Sequence, residues 1–180
     1  MVGDNSGLSK IIAGVFEKSL KANGIEVVAS QIIPIGSRTG VPQMQKVRAA
    51  KPEAIFQAGI VGPQMAQFFQ AYHQLGMKQP VLASFNLSIP AYLKVAKDLM
   101  DGVAFIDAYD PDKERTKTFI AAYQKEYGSV PFSLPGYGYD GLYFIVDAIK
   151  RAGSADREKI RAAMASTKGW SGVMGAKGSS

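Results

Sequence analysis

The stretch Ala54-Ile55-Phe56-Gln57-Ala58-Gly59-Ile60-Val61-Gly62-Pro63-Gln64-Met65 constrains the fold most. A short apolar run ends in a glycine-rich turn, and Pro63 then takes the first position of a helix, where its missing N–H costs nothing. Such a turn leaves bare backbone at the C-terminal end of a strand and aims helix N–H groups at the same spot, which is where open α/β sheets hold ligands. The same glycines also suit an ordinary strand-to-helix loop, and the residues alone leave both readings open.

Around this stretch the chain alternates helix and strand. Leu8, Ile11, Ile12, Val15, Phe16 and Leu20 share one helical face, and Asn23-Gly24 stops that helix. Ile25 to Ile33 reads as a β-branched strand ended by Pro34-Ile35-Gly36. A loop, Ser37 to Gly40, leads into a short helix with Pro42 near its start, ending before Lys51-Pro52. The helix after Gly62 carries Met65, Phe68, Phe69, Tyr72 and Leu75 as an apolar stripe, and Gly76 ends it. Pro80 to Phe85 is the next strand, followed by the turn Asn86-Leu87-Ser88 and a helix from Pro90 to about Leu99. Val103 to Asp107 is a further strand, followed by Tyr109-Asp110-Pro111 and a helix bearing Phe119, Ile120, Tyr123 and Tyr127. Strands separated by about ten to fifteen helical residues imply right-handed crossovers and a parallel sheet, hence an α/β fold in three layers. Met1-Val2-Gly3 reads as too short for a proper first strand.

Beyond Tyr127-Gly128 the pattern changes. Ser129 to Gly138 reads as a Pro/Gly-rich connection, followed by two helices, about Asp140 to Ala152 and Asp156 to Ser166. Gly169 to Ser180 is mostly glycine and small residues, with room for at most one short strand. Both ends read as cut, with residues 1–110 as one α/β domain and 111–180 as a second, truncated portion.

The search for reactive chemistry is mostly negative. His73, the only histidine, sits in a helix away from any strand end, and a hydrolase-type triad would need it to reach a nucleophile in a cleft. Gly136-Tyr137-Gly138-Tyr139-Asp140-Gly141 matches G-x-G-x-x-G formally, but no buried strand precedes it, so it reads as a flexible loop before a helix. Asp107, Asp110 and Asp112 cluster, yet Pro111 and the spacing defeat a calcium loop, and Asp112 reads as an N-terminal helix charge. The absence of cysteine excludes a disulfide framework and thiolate metal sites. A net charge of +6, spread as in Lys113-Glu114-Arg115, describes a solvated surface and no nucleic-acid footprint. No apolar run reaches the roughly 18 residues needed to span a bilayer, and no basic-then-apolar leader opens the chain. No cofactor or metal is implied.

Several runs come in one family's order. Val47-Arg48-Ala49-Ala50-Lys51 followed by Pro52 to Phe56 precedes the turn Gly59 to Pro63; then come Phe119, Tyr123, Tyr127-Gly128 and Pro131, Tyr139-Asp140-Gly141, and Ala148-Ile149 with Ala152-Gly153. Together with Asp4-Asn5-Ser6-Gly7 before the first helix, they resemble the periplasmic solute-binding proteins of branched-chain amino acid ABC transporters, over nearly the whole chain. The resemblance implies a periplasmic binding protein-like type I fold in which two α/β lobes close on a small amino acid or carboxylate, which is then handed to an ABC permease. It implies that residues 1 to about 107 form mainly the second lobe, that the later helices belong to the first, and that the chain is part of a periplasmic protein whose signal peptide is absent here.

Carried over by position, the implied solute contacts are Ser6, Val61 or Gly62, and Phe85-Asn86. Each departs from the amino-acid pattern: Ser6 and Val61 or Gly62 stand where aromatics are usual, and Phe85-Asn86 where an acidic residue often pairs the ammonium. An unpaired buried ammonium costs several kcal/mol, so an aromatic or aliphatic carboxylate, or an amide, becomes as plausible a solute as a branched amino acid. Separately, the apolar face of Tyr143, Phe144, Ile145, Val146 and Ile149 calls for a cover, either the chain's own sheet or a second copy in a homodimer. A free-standing flavodoxin-like domain holding a phosphate-bearing cofactor at its strand-to-helix turns is the alternative.

Overall fold

The computed structural model describes residues 1–107 and 110–175. Tyr109 of the expected turn, and residues 176–180 of the glycine-rich tail, lie outside the described residues. The chain forms two compact units, Met1–Asp107 and Ala108–Ser180.

In the first unit a parallel sheet of five strands is built from β1 (Val2–Asp4), β2 (Gln31–Ile33), β3 (Ile55–Ala58), β4 (Val81–Ala83) and β5 (Ala104–Phe105), in the order β2-β1-β3-β4-β5. Between them run α1 (Gly7–Ala22), α2 (Val41–Ala49), α3 (Pro63–Gln74) and α4 (Pro90–Ala96), with 3-10 turns at Phe85–Ser88 and Lys97–Leu99. Residues along a strand alternate between the two faces, and the burial follows them. Val2, Ile33, Ile55, Val81 and Ala83 pack with Met44 and Val47 of α2 and Met65, Phe68 and Phe69 of α3 in one core. Each fully buried large side chain there contributes about 1.5–3 kcal/mol. The neighbouring strand position, Phe56, points the other way and stacks on Phe16 of α1 with ring centroids 3.8 Å apart. α1 covers that second face while Ile32 and Leu82 stay partly exposed on it.

Three expectations are corrected here. Met1-Val2-Gly3 does supply a strand: β1 is paired on both sides, Val2 with Gln31 and with Gln57, and two neighbours stabilise what three residues alone cannot. The strand expected over Ile25 to Ile33 is confined to Gln31–Ile33, because only there does β1 offer a parallel partner, and Ile25 and Val28 are left exposed. In the second unit the connection expected to reach Gly138 is already helical from Ser133.

That second unit contains α5 (Glu114–Tyr127), α6 (Ser133–Ala152) and α7 (Arg157–Ala165). Pro135 falls in the first turn of α6, where proline is tolerated, so the G-x-G-x-x-G run is helix interior and not a loop. Its Gly136 admits a close neighbour: a Cβ there would stand 2.3 Å from Met174 Sδ. One turn on, Asp140 accepts from the N–H groups of Val173 and Met174 at 2.8 and 2.9 Å, fastening the end of the described chain to α6. Arg151 holds α7 by donating to Ala163 O at 2.7 Å and to Thr167 Oγ1 at 2.6 Å. Asp112 stands one residue before Lys113, the N-cap of α5, whose first turn carries Glu114, and Asp110 organises the turn by accepting from Asp112 N–H at 3.0 Å. Tyr143, Ile145 and Ile149 are exposed at 52%, 43% and 38%.

Candidate functional site at the strand ends

The strand order reverses between β1 and β3: β2 lies on the far side of β1, whereas β4 and β5 continue beyond β3. Loops leaving two such strands diverge to opposite sides and open a crevice at the carboxyl ends, where α/β sheets bind ligands. The turns after β1, β3 and β4 therefore lie side by side along one sheet edge. Hydrogen bonds join them. Asp4 Oδ1 accepts from Ser6 N–H and Oδ2 from Val61 N–H, both at 2.8 Å. Asn86 Nδ2 donates to Ile60 O, and Ser84 Oγ accepts from Gly59 N–H at 3.0 Å. The loop after β2 reaches the same edge, where Ile35 N–H donates to Asn5 Oδ1 at 2.8 Å.

The turn after β3 takes a shape that demands glycine. Gly59 has φ +67°, and a Cβ on it would stand 2.8 Å from Ile12 Cδ1 and 3.3 Å from Ser9 Cα. Gly62, the N-cap of α3, has φ +61° and ψ −148°, a conformation essentially closed to residues with a Cβ. Between them Ile60 is fully buried in the core, while Val61 and Gly62 are half-buried at the edge.

The five residues expected to meet a solute thus share one edge, but they differ in what their polar atoms do. Ser6 is half-buried and caps α1, its Oγ accepting from Ser9 N–H at 3.1 Å. Val61 and Gly62 present backbone at the α3 N-terminus. Phe85 is half-buried and opens the 3-10 turn, its carbonyl accepting from Ser88 Oγ at 2.8 Å. Asn86 is 1% exposed, and both ends of its amide are engaged inside the chain, Oδ1 by Ser84 Oγ and Nδ2 by Ile60 O.

Asp4, Ser9, Gln57 and Ser84, which the sequence reading passed over, are all at most 2% exposed beneath this edge. Ser9 Oγ accepts from Asp4 N–H at 2.9 Å and donates to Ala58 O, tying α1 to two strands. Gln57 Oε1 accepts from Ser84 N–H at 3.3 Å. The available signal was polar residues at strand termini, Asp4 before the Ser6 cap and Gln57 inside an apolar run. A buried polar group must find partners, and here they find one another.

Asp4 is the one carboxylate among these turns, and both of its oxygens are already bonded to backbone N–H groups. The edge therefore offers a solute backbone donors, one hydroxyl, and the apolar surfaces of Val61 and Phe85. His73 lies elsewhere, exposed on α3 with Nε2 2.8 Å from Leu99 O. Among the described residues no group of acidic, histidine or cysteine side chains could hold a metal ion, and no helix is long and apolar enough to cross a membrane. A cavity of about 660 Å³ lies at the opposite, amino-terminal end of the strands, lined by Phe16, Leu20, Ile25, Phe56 and Leu82 among others. Its lining also includes Glu26, Lys51 and Glu53, and none of the five residues expected to meet a solute.

Comparison with known proteins fits this geometry. The sequence matches the periplasmic binding protein family over residues 1–180, and the chain belongs to that family. It is 24% identical over 169 residues to the Leu/Ile/Val-binding protein BraC3 of Rhizobium johnstonii, covering 91% of this chain and 45% of that protein. The crystal structure of the leucine-binding protein LivK of Thermotoga maritima superposes with a TM-score of 0.81 at 26% identity, over 97% of this chain and 51% of that one. The substrate-binding protein LivJ of Streptococcus pneumoniae, solved with isoleucine, gives a TM-score of 0.81 at 22% identity, over 97% of this chain and 50% of that one. The chain thus spans about half the length of these relatives. None of them supports the cofactor-binding, flavodoxin-like alternative. The family match over residues 1–180 decides against it.

Proposed function

We propose that this member of the periplasmic binding protein family contributes one wall of a solute-binding site of an ABC transporter's substrate-binding protein, and that it is not an enzyme. The observation carrying this reading is the convergence of the turns after β1, β3 and β4 on one sheet edge at the switch in strand order. Ser6, Val61, Gly62 and Phe85 form that wall, with Asn86 behind it. The relatives are named for leucine, isoleucine and valine, which supports small amino acids as the solute class, and we extend it to their carboxylate analogues. The family match supports a periplasmic location and an ABC permease partner, and we assign residues 1–110 to one lobe and 111–180 to a truncated portion of the other.

Hinge-closing binders gain affinity when two walls meet on a solute and expel water. The test is nuclear magnetic resonance titration of the chain with L-leucine, L-isoleucine, L-valine and isocaproate, which keeps the leucine skeleton without its ammonium. The expected result is chemical-shift changes centred on Ser6, Val61, Gly62 and Phe85. Changes centred on Leu20, Ile25 and Leu82 would move the site to the other end of the sheet and overturn the reading.

A further inference from the structure

We propose that Asn86, together with Ser84, is a positioning residue: it fixes the shape of the Ile60 to Gly62 wall from beneath and does not touch the solute. The proposal rests on the reading of the strand-end edge as the solute site, and it assigns one of that site's residues a different role from the one its position suggests.

Gly59-Ile60-Val61-Gly62 is only four residues long, contains two glycines at positive φ, and has no regular secondary structure to hold it. Flexible backbone of this kind is held only by what grips it. Ile60 anchors the turn by its fully buried side chain. Its carbonyl points into the protein and accepts from Asn86 Nδ2, with Gln57 Nε2 at 3.5 Å as a second, longer donor. Gly59 N–H goes to Ser84 Oγ and Val61 N–H to Asp4 Oδ2. Gln64, in the amide orientation that satisfies both its polar atoms, donates to Val61 O at 3.2 Å and accepts from Gly36 N–H at 3.0 Å. Polar groups of the turn are thus claimed from the protein side, and Val61 and Gly62 are held outward.

Asn86 is shut off from a solute by burial. It is 1% exposed, its oxygen accepts from Ser84 Oγ, and its nitrogen donates to Ile60 O. A carboxylate in its place would still accept from Ser84 but would set an anion against the Ile60 carbonyl with no proton between them. That distinguishes the two roles: a solute-facing residue at this position would hold an ammonium better as an acid, whereas a positioning residue would fail as one.

The experiment uses the whole 180-residue chain as wild type, N86A, N86D and S84A, with amide hydrogen exchange followed residue by residue and L-leucine and isocaproate as binding probes. Positioning predicts that the amides of Gly59 and Val61 exchange about tenfold faster in N86A and at least as fast in N86D, while the core amides of Ile55 and Val81 keep wild-type protection. It predicts that binding of both probes weakens together in both Asn86 variants, with their ratio unchanged. S84A is expected to free Gly59 more than Val61. Equal acceleration of turn and core amides would reduce Asn86 to a general stabiliser and overturn the proposal. So would unchanged exchange at Gly59 and Val61, or an N86D chain that gains affinity for L-leucine over isocaproate. If wild type binds neither probe, the solute reading fails for these compounds, and the exchange measurements still decide whether Asn86 holds the turn.

Discussion

Asp4 and Val61, 57 residues apart in sequence, meet at the switch in strand order, where the Asp4 carboxylate accepts the Val61 N–H at 2.8 Å. The other carboxylate oxygen takes the Ser6 N–H, so one buried side chain sets the spacing of the two turns flanking the crevice. Replacing Asp4 with Asn leaves one acceptor and turns an NH₂ group against an N–H. The expected cost is about 1–3 kcal/mol in denaturant unfolding, the penalty for a buried donor left without a partner. An unchanged midpoint and slope in D4N would show that the carboxylate is dispensable.

Gly59→Ala combines two penalties, a positive φ and a Cβ 2.8 Å from Ile12 Cδ1. Gly76 has a comparable φ of +64° with nothing within 4 Å of its Cβ, so Gly76→Ala carries the backbone penalty alone. Thermal unfolding is expected to show a loss of about 1 kcal/mol for G76A and roughly 1–3 kcal/mol more for G59A. Equal losses would mean that α1 yields easily and that the close approach at Gly59 imposes nothing.

The sheet was legible in the sequence because its strands obey local rules. Ile55 to Ala58 is a short apolar run closed by glycine, and Pro63 marks the helix start that the structure shows. Two kinds of feature were not legible. Strand length depends on neighbours far along the chain, so Val2–Asp4 became a strand by lying between β2 and β3, while Ile25 to Ser30 did not for want of a partner. The glycines of α6 read as a loop because their helical propensity is poor, yet tertiary packing overrides propensity where Gly136 must admit Met174. At the site, the edge was foreseeable from the turn chemistry of Gly59 to Pro63. The polar ladder of Asp4, Gln57, Ser84 and Asn86 was not, since hydrogen-bond partners 25 to 57 residues apart leave no periodic trace.

The second unit carries a pH-dependent contact. The Tyr139 hydroxyl is held above the usual tyrosine range, first by its hydrogen bond with Tyr143 and then by burial. Folding therefore favours the neutral phenol, and the contribution is fully present below the ordinary value of about 10 and lost as pH rises through the raised one. Spectrophotometric titration should show this tyrosine ionising late, and Tyr143→Phe should bring it back toward the ordinary value. Identical titration of wild type and Y143F would remove the hydrogen bond as the cause.

Leu142, Ile145 and Ile149, at i, i+3 and i+7, leave an apolar stripe open on α6. Contiguous apolar surface of this kind promotes association between copies. Sedimentation of the chain is expected to show concentration-dependent dimerisation that Ile145→Glu weakens while the helical content stays constant. A strict monomer at every concentration, with I145E indistinguishable from wild type, would show that the stripe is inert.

The last prediction concerns affinity. The edge formed by Ser6, Val61, Gly62 and Phe85 presents backbone donors and apolar surface but no free carboxylate, since Asp4 is committed to Ser6 and Val61. A solute held on one such wall keeps its other face in water. If a two-walled site binds micromolar, forgoing about 4 kcal/mol of contacts leaves a roughly millimolar complex. Calorimetry on this chain is therefore expected to give millimolar binding, with L-leucine and isocaproate alike within a few-fold, because no anion on this wall rewards the ammonium. A longer chain carrying the other wall should bind far more tightly. Micromolar binding by the present chain, lost in Phe85→Ala, would show that this one edge suffices.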